Sequence, residues 1–430
     1  MRHANDRLGA WVACCAVCAL GLSDVPAAQS ATLTVAAGDG HLAAAIAAAS
    51  PGDVLTLTPG VHNGPVRIEK PLTLTGQPGA VLDGHGVGRT IEVVAADVTV
   101  RNLSIRGSGM SLENMDAAVF LAQSAARAQV IDNDIEGNLV GVYVHGAPGA
   151  IVRANRIVGR VLPHLNDSGN GVYVWNAPGA QVLDNDISGG RDGIFTNASR
   201  EDRFTGNRIH GVRFAVHYMY TNDSEVSGNT SIGNHAGFVI MYSSNLKIRG
   251  NVSDNDRDHG LLFNYANASE IDDNAIRHSD KCVFIYNANR NHFRDNLFEG
   301  CRVGVHFTAG SEGNDITGNA FVDNQTQVMY VGTRFLDWSA DGRGNYWSDN
   351  PAFDLNGDGI ADTAYRPNNI MDEVIWRAPA AKLLLNSPAA RVVRWAQSQF
   401  PAIHPGGVID SAPLMNPPEI AAASRLGSGP

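Results

Sequence analysis

One pattern of polar and hydrophobic residues repeats nine times between residue 133 and about residue 331. In each repeat an Asn is followed within two or three residues by an apolar residue, and the next such Asn comes 22 or 23 residues later. The exception is a step of 30 residues from Asn155 to Asn185, which contains the polar insertion 161–170. The repeated asparagines are Asn133, Asn155, Asn185, Asn207, Asn229, Asn251, Asn274, Asn296 and Asn319. A fixed period of this length indicates a repeat architecture.

Each period contains three short strand-like runs separated by Asn, Asp, Gly and Ser, which favour tight turns. One period, for example, contains the runs 208–210, 215–220 and 224–228. No period has room for a crossover helix. The sequence therefore predicts an all-β fold, a right-handed, single-stranded parallel β-helix in which each period of about 22 residues forms one coil, stacked about 4.8 Å from the next. We expect the repeated Asn side chains to form an internal ladder along the stack.

A second marker, most often Gly, recurs with the same period and allows the faces of one strand to be assigned. Counting from this marker, the first and third following residues are apolar, which predicts that they point into the core. The second and fourth following residues should then face outward, and they include many Tyr, Trp, Phe, Met and His residues. The markers are Gly141, Gly171, Gly193, Ala215, Gly237, Gly260, Cys282, Gly304 and Gln327.

This outward face is too aromatic for a surface that meets only solvent. A large apolar patch marks either a binding surface or a surface covered by another part of the chain, here a loop or the C-terminal segment. We predict Tyr173, Trp175, Phe195 and Tyr286 as partner-binding residues on this face. Exposed aromatic rings could also stack on sugar rings.

Two methionines and a histidine on the same face form a candidate copper site. Met219 and Met241 occupy one column on adjacent coils, and His217 lies two residues before Met219 on the same side. Thioether and imidazole groups suit copper, especially Cu(I). An outward strand face would leave the site exposed enough to release its ion. The alternative is that these side chains only pack together or contact a partner.

The acidic stretch that begins at Asp354 has the spacing of a calcium loop. Asp354, Asn356, Asp358, the Ile360 carbonyl and Asp362 fall at positions 1, 3, 5, 7 and 9 of such a loop. Position 12 is Tyr365 instead of the usual bidentate Glu. The pattern therefore predicts either a structural calcium site or a tight polar turn.

The two ends of the chain differ from the repeats. Residues 1–28 resemble a secretory signal peptide, with Arg2 and Arg7 before the apolar run 8–22. Residues 29–350 should form the β-helix, with an N-terminal helical cap at about 39–49. Residues 351–418 should form the acidic loop and a helical docking tail, and residues 419–430 a disordered end. Within the tail, Leu383, Leu384 and Trp395 could meet a membrane partner, or the tail could instead cap the last coil.

Charge and cysteine content restrict the function further. The formal net charge is −11, and the repeats contain no dense basic cluster, which argues against a nucleic-acid or anionic-membrane binder. Outside the signal segment the cysteines are Cys282 and Cys301. An oxidising compartment would permit a disulfide, but their spacing of 19 residues in a coil of 22 leaves the pairing open.

Four segments after the repeats carry a specific resemblance. They are GRGNYWSDN at 342–350 and the stretches 353–368, 372–401 and 407–415. They resemble the NosD family, and with the signal segment and the solenoid the resemblance extends to about residue 418. It implies a periplasmic, non-enzymatic accessory protein of nitrous oxide reductase maturation that helps place copper into that reductase. The implied partners are the permease and ATPase subunits of an ABC-type inner-membrane complex, the reductase and a copper-carrying lipoprotein. Membrane contact would occur only through these partners.

Two other function classes fit a β-helix. A carbohydrate-active enzyme, a polysaccharide lyase or uronan epimerase, could use the aromatic face as a sugar groove, but it needs a base near cationic or calcium charge. The coils show no repeated cluster of that kind. A cell-surface adhesion solenoid would not explain the Trp-rich tail. The metals that we expect are copper, bound transiently, and calcium, bound as a structural ion.

Overall fold

The structure is a computed structural model that describes residues 30–308, 310–332, 334–384, 387–399 and 406–425. Three long parallel sheets run along it, and each coil away from the two ends contributes one strand to each. The first sheet comprises Thr32–Val35, Val54–Leu57, Thr73–Gly76, Thr99–Arg101, Gln129–Ile131, Ile151–Arg153, Gln181–Leu183, Arg203–Thr205, Glu225–Ser227, Lys247–Arg249, Glu270–Asp272, His292–Arg294 and Asp315–Thr317. The second comprises Gly60–Asn63, Ala80–Asp83, Ser104–Arg106, Asp134–Asn138, Arg156–Gly159, Asp186–Gly189, Arg208–His210, Thr230–Ile232, Val252–Asp254, Ala275–Arg277, Leu297–Glu299, Ala320–Val322 and Tyr346–Trp347. The third comprises Val66–Ile68, Ile91–Val93, Ala117–Leu121, Val140–His145, Val172–Trp175, Ile194–Asn197, Phe214–Met219, Ala236–Met241, His259–Asn264, Lys281–Tyr286, Val303–Thr308 and Thr326–Val331.

The pairing register confirms the predicted parallel β-helix. Val182 pairs with Phe204 in the first sheet and Ile187 with Ile209 in the second, so that each residue lies beside the residue one coil later. Inward-pointing residues form one continuous core along the stack. The polar insertion at 161–170 contains a short 3₁₀ helix, Leu165–Asp167, between the second and third sheets. It leaves the register on both sides unchanged.

The asparagine ladder forms at the turn between the first and second sheets and extends one coil beyond the prediction, to Asn345. From Asn133 to Asn345 each Nδ2 donates to the next Oδ1 at 2.8–3.0 Å, and all of these side chains are buried. The ladder amides also donate to carbonyls of the preceding coil, as Asn229 does to Phe204 at 2.8 Å. The ladder thereby satisfies backbone groups that the turn removes from the sheets.

Helix α1 (His41–Ala48) covers the N-terminal end of the core, where the sequence predicted a cap over 39–49. It begins after Gly40, whose φ of 72° is a conformation that glycine adopts without steric cost. Leu42 and Ile46 are its buried residues and belong to the main core. The helix therefore shields the first coil from solvent.

At the other end, aromatic residues and a returning segment close the core. Trp338 and Trp347 are buried, and Trp347 stacks on Phe321 with ring centroids 4.2 Å apart. Strand Phe335–Asp337 pairs in parallel with Gly407–Ile409. Asp410, which follows this strand, accepts hydrogen bonds from the Asn345 backbone N–H and the Trp347 indole N–H, both at 2.7 Å. Asp410 thus occupies the place that a further ladder asparagine would have.

The tail contains two longer helices. α2 (Ile370–Arg377) is followed by a 3₁₀ helix (Pro379–Leu384) and α3 (Pro388–Gln399). Met371 of α2 is buried, whereas Leu383 is 90% exposed, more than any other large hydrophobic residue that the structure describes. The tail therefore packs partly against the protein and partly presents apolar side chains to solvent.

The predicted disorder of residues 419–430 differs from the structure in the part that it describes. Helix α4 (Ala421–Ser424) lies on the second sheet, and Ala422 is completely buried. The physical reason is the outward column beneath it, which is charged or polar in earlier coils but becomes apolar where α4 packs. The apolar members are Val252, Ala275, Leu297 and Ala320. The predicted signal segment, 1–28, lies outside the described residues, as do 426–430.

Cys282 and Cys301, whose pairing the sequence left open, form a disulfide with Cα atoms 5.7 Å apart. Cys301 lies at the corner before the third sheet, one coil after Cys282, and both side chains point inward. Among the helices in the described ranges, none is long and apolar enough to cross a membrane.

Candidate functional site

Aromatic rings on the third sheet stack from coil to coil in the column two residues after the marker. Ring centroids are 4.5 Å apart for Tyr143 and Tyr173, 4.9 Å for Tyr173 and Phe195, and 4.7 Å for Phe195 and His217. The Phe214 ring is nearly perpendicular to the His217 ring, with centroids 5.2 Å apart. Because rings on adjacent coils cover each other's faces, the column shields itself from solvent.

This stacking corrects two expectations. Phe195 is only 9% exposed and His217 only 7%, so neither belongs to an open surface. The expected exposure of Phe195 is therefore wrong, and the predicted copper site is not open at its histidine. Tyr173 and Trp175 are half-buried, and Trp175 stacks on His145 at 4.5 Å. Tyr286 is exposed, in agreement with the prediction.

His217 has a buried carboxylate as its neighbour. Asp192 is fully buried and accepts hydrogen bonds from Arg213 Nε at 2.8 Å and Nη2 at 2.7 Å. His217 Nδ1 lies 3.2 Å from the same carboxylate, while His217 Nε2 is buried and has no hydrogen-bond partner. Burial alone would raise the pKa of Asp192, but the hydrogen bonds from His217 and Arg213 outweigh it and lower that pKa.

Asp192 was not identified from the sequence. The available signal was an acidic residue directly before the marker Gly193, where the later coils have Phe214, Ala236, His259 and Lys281. No other coil has a carboxylate at this position. A comparison of equivalent positions between coils therefore does not identify Asp192. A buried carboxylate nevertheless requires charged or hydrogen-bonding partners.

The structure brings the two methionines together as predicted. Met219 and Met241 pair directly on adjacent strands, and both are half-buried. They lie in the fourth column, between Asn197 and Asn264. Within the ranges that the structure describes, no three His, Cys, Asp or Glu side chains converge as they would around a metal ion. The thioether sulfur atoms of the two methionines are soft donors, which suit Cu(I) better than calcium.

A strip of exposed tyrosines follows the methionines along the chain. Tyr220 and Tyr242 stack at 5.1 Å, Tyr242 and Tyr265 at 5.2 Å, and Tyr286 faces Tyr265 edge-on at 6.1 Å. Tyr220, the most exposed of the four, is 53% exposed. We call these four residues the tyrosine strip. The first three were not identified from the sequence, because only four residues beyond the marker were counted and they are the fifth.

Three residues of the strip have an unusual backbone conformation. The φ angles of Tyr220, Tyr242 and Tyr265 are 51°, 48° and 52°. Bulky residues rarely adopt this left-handed region, which costs roughly 1–2 kcal/mol per residue. Asn176 and Asn287 hold the same position in other coils, and Asn tolerates the conformation better. The tyrosines therefore occupy this position at a cost to the backbone.

The acidic loop uses its side-chain oxygens internally. Asp354 accepts hydrogen bonds from the Gly357 and Gly359 N–H groups at 2.6 and 2.8 Å, and Asp362 accepts one from Leu355 at 2.7 Å. The hydrogen bond from Gly359 is the largest cause that lowers the pKa of Asp354. This arrangement matches the polar turn that the sequence offered as the alternative and lends no support to calcium.

Comparisons with known proteins agree with the resemblance in the tail. The family model described as "Periplasmic copper-binding protein (NosD)" matches residues 158–352. Two curated relatives are both named "Probable ABC transporter binding protein NosD". The Stutzerimonas stutzeri protein is 40% identical over 377 residues, which are 84% of this chain and 86% of the relative. The Pseudomonas aeruginosa protein is 38% identical over 377 residues, 84% of this chain and 88% of the relative.

Solved structures supply the fold. A PL6 alginate lyase in complex with a trisaccharide matches with a TM-score of 0.51 and 13% identity, covering 74% of this chain and 92% of the lyase. At that identity the similarity shows a shared β-helix and nothing about activity. The two relatives, in contrast, are similar in sequence over most of both chains. On that similarity, this chain belongs to the NosD family.

Proposed function

We propose that this chain is a periplasmic accessory protein that docks on an ABC-type membrane complex and helps to deliver copper to nitrous oxide reductase. The observation that carries the proposal is similarity, over 84% of the chain, to relatives named as NosD. The family is described as periplasmic and copper-binding, and the relatives as ABC transporter binding proteins. The protein itself catalyses no reaction in this proposal.

The tail supplies the dock for the membrane complex. Leu383 and Leu384 follow α2 in the 3₁₀ helix and are 90% and 61% exposed, and Trp395 of α3 is also exposed. Large apolar side chains this exposed are typical of an interaction site. The permease subunit is the proposed partner, and the ATPase subunit then joins through the permease.

The methionine pair supplies the copper contact. Met219 and Met241 lie side by side on regular strands, so two thioethers can approach one Cu(I) ion without backbone movement. Met side chains are flexible, which suits an ion that must be passed on. The His217 imidazole, two residues before Met219, is the third proposed donor.

The tyrosine strip supplies the dock for the partner that brings or receives copper. It borders the methionine pair, since Tyr220 and Tyr242 directly follow Met219 and Met241. Tyr residues are favoured anchors in protein interfaces because they bury a large ring and keep a hydroxyl for hydrogen bonding. Their backbone cost supports a role for the side chains, because strained positions concentrate at functional sites. A copper-carrying lipoprotein and the reductase are the proposed occupants in turn.

The first experiment tests the tail. The double variant Leu383→Ser/Leu384→Ser should fold normally, because both side chains are exposed, but should co-purify less permease and ATPase. An apolar side chain contributes about 1.5–3 kcal/mol when buried, so two changes should weaken binding by at least about a hundredfold. Leu355→Ser, at a position 84% exposed on the acidic loop, is the matched control and should bind normally. Normal co-purification by the double variant would refute the dock.

The second experiment tests copper. Met219→Leu/Met241→Leu preserves volume and should cost less than about 1.5 kcal/mol of stability, yet it removes both sulfur atoms. Cu(I) affinity, measured by competition with a chromophoric chelator, should fall, and so should the copper content of nitrous oxide reductase in cells. Met329→Leu, on the same sheet, is the control. If the double variant binds Cu(I) as tightly as the unchanged protein, the proposed site is wrong.

The third experiment separates side chain from backbone in the strip. Tyr242→Asn removes the ring and places a residue suited to the left-handed conformation. The variant should be as stable as the unchanged protein, or more stable by about 1 kcal/mol. Binding to the copper-carrying partner or the reductase should fall. Binding that persists unchanged would mean that the strip is not an interface.

A further inference from the structure

The unpartnered nitrogen of His217 points to a role for its buried neighbour. We infer that Asp192 is a positioning residue for copper, which fixes the proton of His217 on Nδ1 and leaves the lone pair of Nε2 for Cu(I). The inference rests on the proposed copper role of His217, Met219 and Met241. It adds a residue that the sequence pattern did not identify, and it assigns a ligand atom.

The hydrogen bonds around Asp192 determine where the His217 proton lies. An ionised carboxylate only accepts hydrogen bonds, and Arg213 fills part of its capacity through two N–H groups on one side of the guanidinium. Arg213 also holds the carboxylate in one orientation. His217 Nδ1, at 3.2 Å from Oδ2 of Asp192, must then act as the donor. In a neutral imidazole with its proton on Nδ1, the lone pair is on Nε2.

The surroundings of Nε2 would be unfavourable if His217 only packed in the core. It is buried and has no hydrogen-bond partner, whereas most buried polar side-chain atoms have one. An unmade hydrogen bond of this kind costs about 1–3 kcal/mol. A neutral imidazole, however, binds a metal ion through this kind of nitrogen, one that carries no proton and accepts no hydrogen bond.

The ring itself is held in place on both sides. Phe195 lies against it, tilted by 30° with ring centroids 4.7 Å apart, and Phe214 is nearly perpendicular to it with centroids 5.2 Å apart. With Nδ1 tied to Asp192, the imidazole keeps one direction for Nε2. A histidine whose second nitrogen is held by a carboxylate is the common arrangement around protein-bound metals, and loss of the carboxylate typically weakens metal binding 10- to 100-fold.

The chemistry of the neighbouring donors selects the ion. Met219 lies two residues along the same strand, and Met241 pairs with it on the next. Thioether sulfur binds Cu(I) well and calcium or magnesium poorly. A rigid imidazole beside two flexible thioethers would let the sulfur atoms move with the ion while the nitrogen stays fixed. Asp192 and Arg213 support this arrangement without contacting copper.

The test combines nitrogen NMR with Cu(I) binding on the full chain. Histidine side chains are labelled with ¹⁵N, and the His217 signals are identified by their absence in His217→Gln. The unchanged protein should show His217 protonated on Nδ1 only, and added Cu(I) should shift the Nε2 signal. Asp192→Asn should give a mixture of both tautomers, because an amide can also donate to Nδ1. Its Cu(I) affinity should fall by about 10- to 100-fold. Arg213→Lys, which leaves Asp192 beside His217, should keep the tautomer.

The outcomes separate this inference from the proposed function. If Cu(I) binding is unaffected by both His217→Gln and Met219→Leu/Met241→Leu, the copper site itself is wrong. If those variants lose Cu(I) but His217 carries its proton on Nε2, or on both nitrogens, the role of Asp192 is wrong and the copper site stands. The role of Asp192 is equally wrong if Asp192→Asn binds Cu(I) normally. Should Asp192→Asn fail to fold, the tautomer in the unchanged protein decides.

Discussion

Replacing the buried Asp202 with Asn should stabilise the protein at alkaline pH and have little effect in acid. Asp202 precedes a first-sheet strand and is almost fully buried in the core. Its carboxylate accepts hydrogen bonds from the Ala180 N–H at 3.1 Å and the Ser199 hydroxyl at 3.0 Å. No cation pairs with it among these contacts, so burial raises its pKa from 3.8 to about 7 despite the hydrogen bonds.

The sign and size of this change in stability follow from the linkage between proton binding and folding. The unfolded chain releases this proton near pH 3.8 and the folded chain near pH 7, so the native state binds the extra proton between these values. The contribution of Asp202 to stability is therefore full below about pH 3.8 and declines as pH rises through 7. Three pKa units correspond to about 4 kcal/mol, which is the stabilisation that Asp202→Asn should show above pH 7.

The fold already accommodates Asn at this position. Asn291 occupies the equivalent place four coils later, where its Oδ1 accepts from Ser269 and its Nδ2 donates to the Ala266 carbonyl at 2.9 Å. The new amide at position 202 could make the matching bond to the Ala177 carbonyl. The Thr196 hydroxyl, which donates to Oδ2 of Asp202 at 3.3 Å, also lies 3.1 Å from the Thr221 hydroxyl and can donate to it instead. The substitution therefore removes a titrating group and leaves its neighbours with hydrogen-bond partners.

Urea unfolding at several pH values between 4 and 9 measures the effect. The free energy of unfolding of Asp202→Asn should exceed that of the unchanged protein above pH 7, and the difference should shrink towards zero at pH 4. Asp341→Asn, at an exposed turn, is the control and should show no such trend. A difference that is independent of pH, or a variant that is less stable at pH 9, would refute the reasoning.

Three further predictions concern the ladder and the acidic loop. Asn229→Ala removes the donor to the Phe204 carbonyl and breaks the ladder, so it should lower the free energy of unfolding by about 3 kcal/mol, measured in urea. Asp410→Ala leaves the Trp347 indole without its acceptor and should lower the free energy of unfolding by a similar amount. Asp410→Asn keeps an acceptor oxygen and should lower it less. Unfolding followed by Trp fluorescence measures both variants. The loop at 354–362 should keep its turn without calcium, so the melting temperature of the protein should be equal in calcium and in chelator. A higher melting temperature in calcium would show that the loop binds the ion.

The periodic part of the fold was predictable because it depends on local rules. A fixed period, turn formers and an Asn in each coil define parallel strands and a ladder, and the structure extends that ladder only to Asn345. The C-terminal helix α4 was not predictable from the composition of its own segment. Its binding surface is a column of apolar residues from four coils, which becomes visible only after the strands are aligned.

The sequence predicted which residues of the candidate site share a face, but it did not predict how deeply they are buried. Strand alternation placed His217, Met219 and Met241 on one side correctly. It could not show that Phe195 and Phe214 cover the His217 ring, because the burial of a column depends on side-chain size in neighbouring coils. The disulfide was undetermined for a related reason, since spacing along the chain does not give the position of a corner in space.

The asparagine ladder also restricts how the length of such a chain can change. Each amide bonds to its counterpart one coil away, so removal of a few residues from a strand would shift the two asparagines that flank the deletion out of register with each other and break the ladder there. Two kinds of change avoid this: gain or loss of a whole coil, and insertion at a corner between sheets. The 3₁₀ helix Leu165–Asp167 is an insertion of the second kind, and the strands on either side of it keep their register. Lengths in such solenoids should therefore vary in steps of one coil, with loops of any size at the corners.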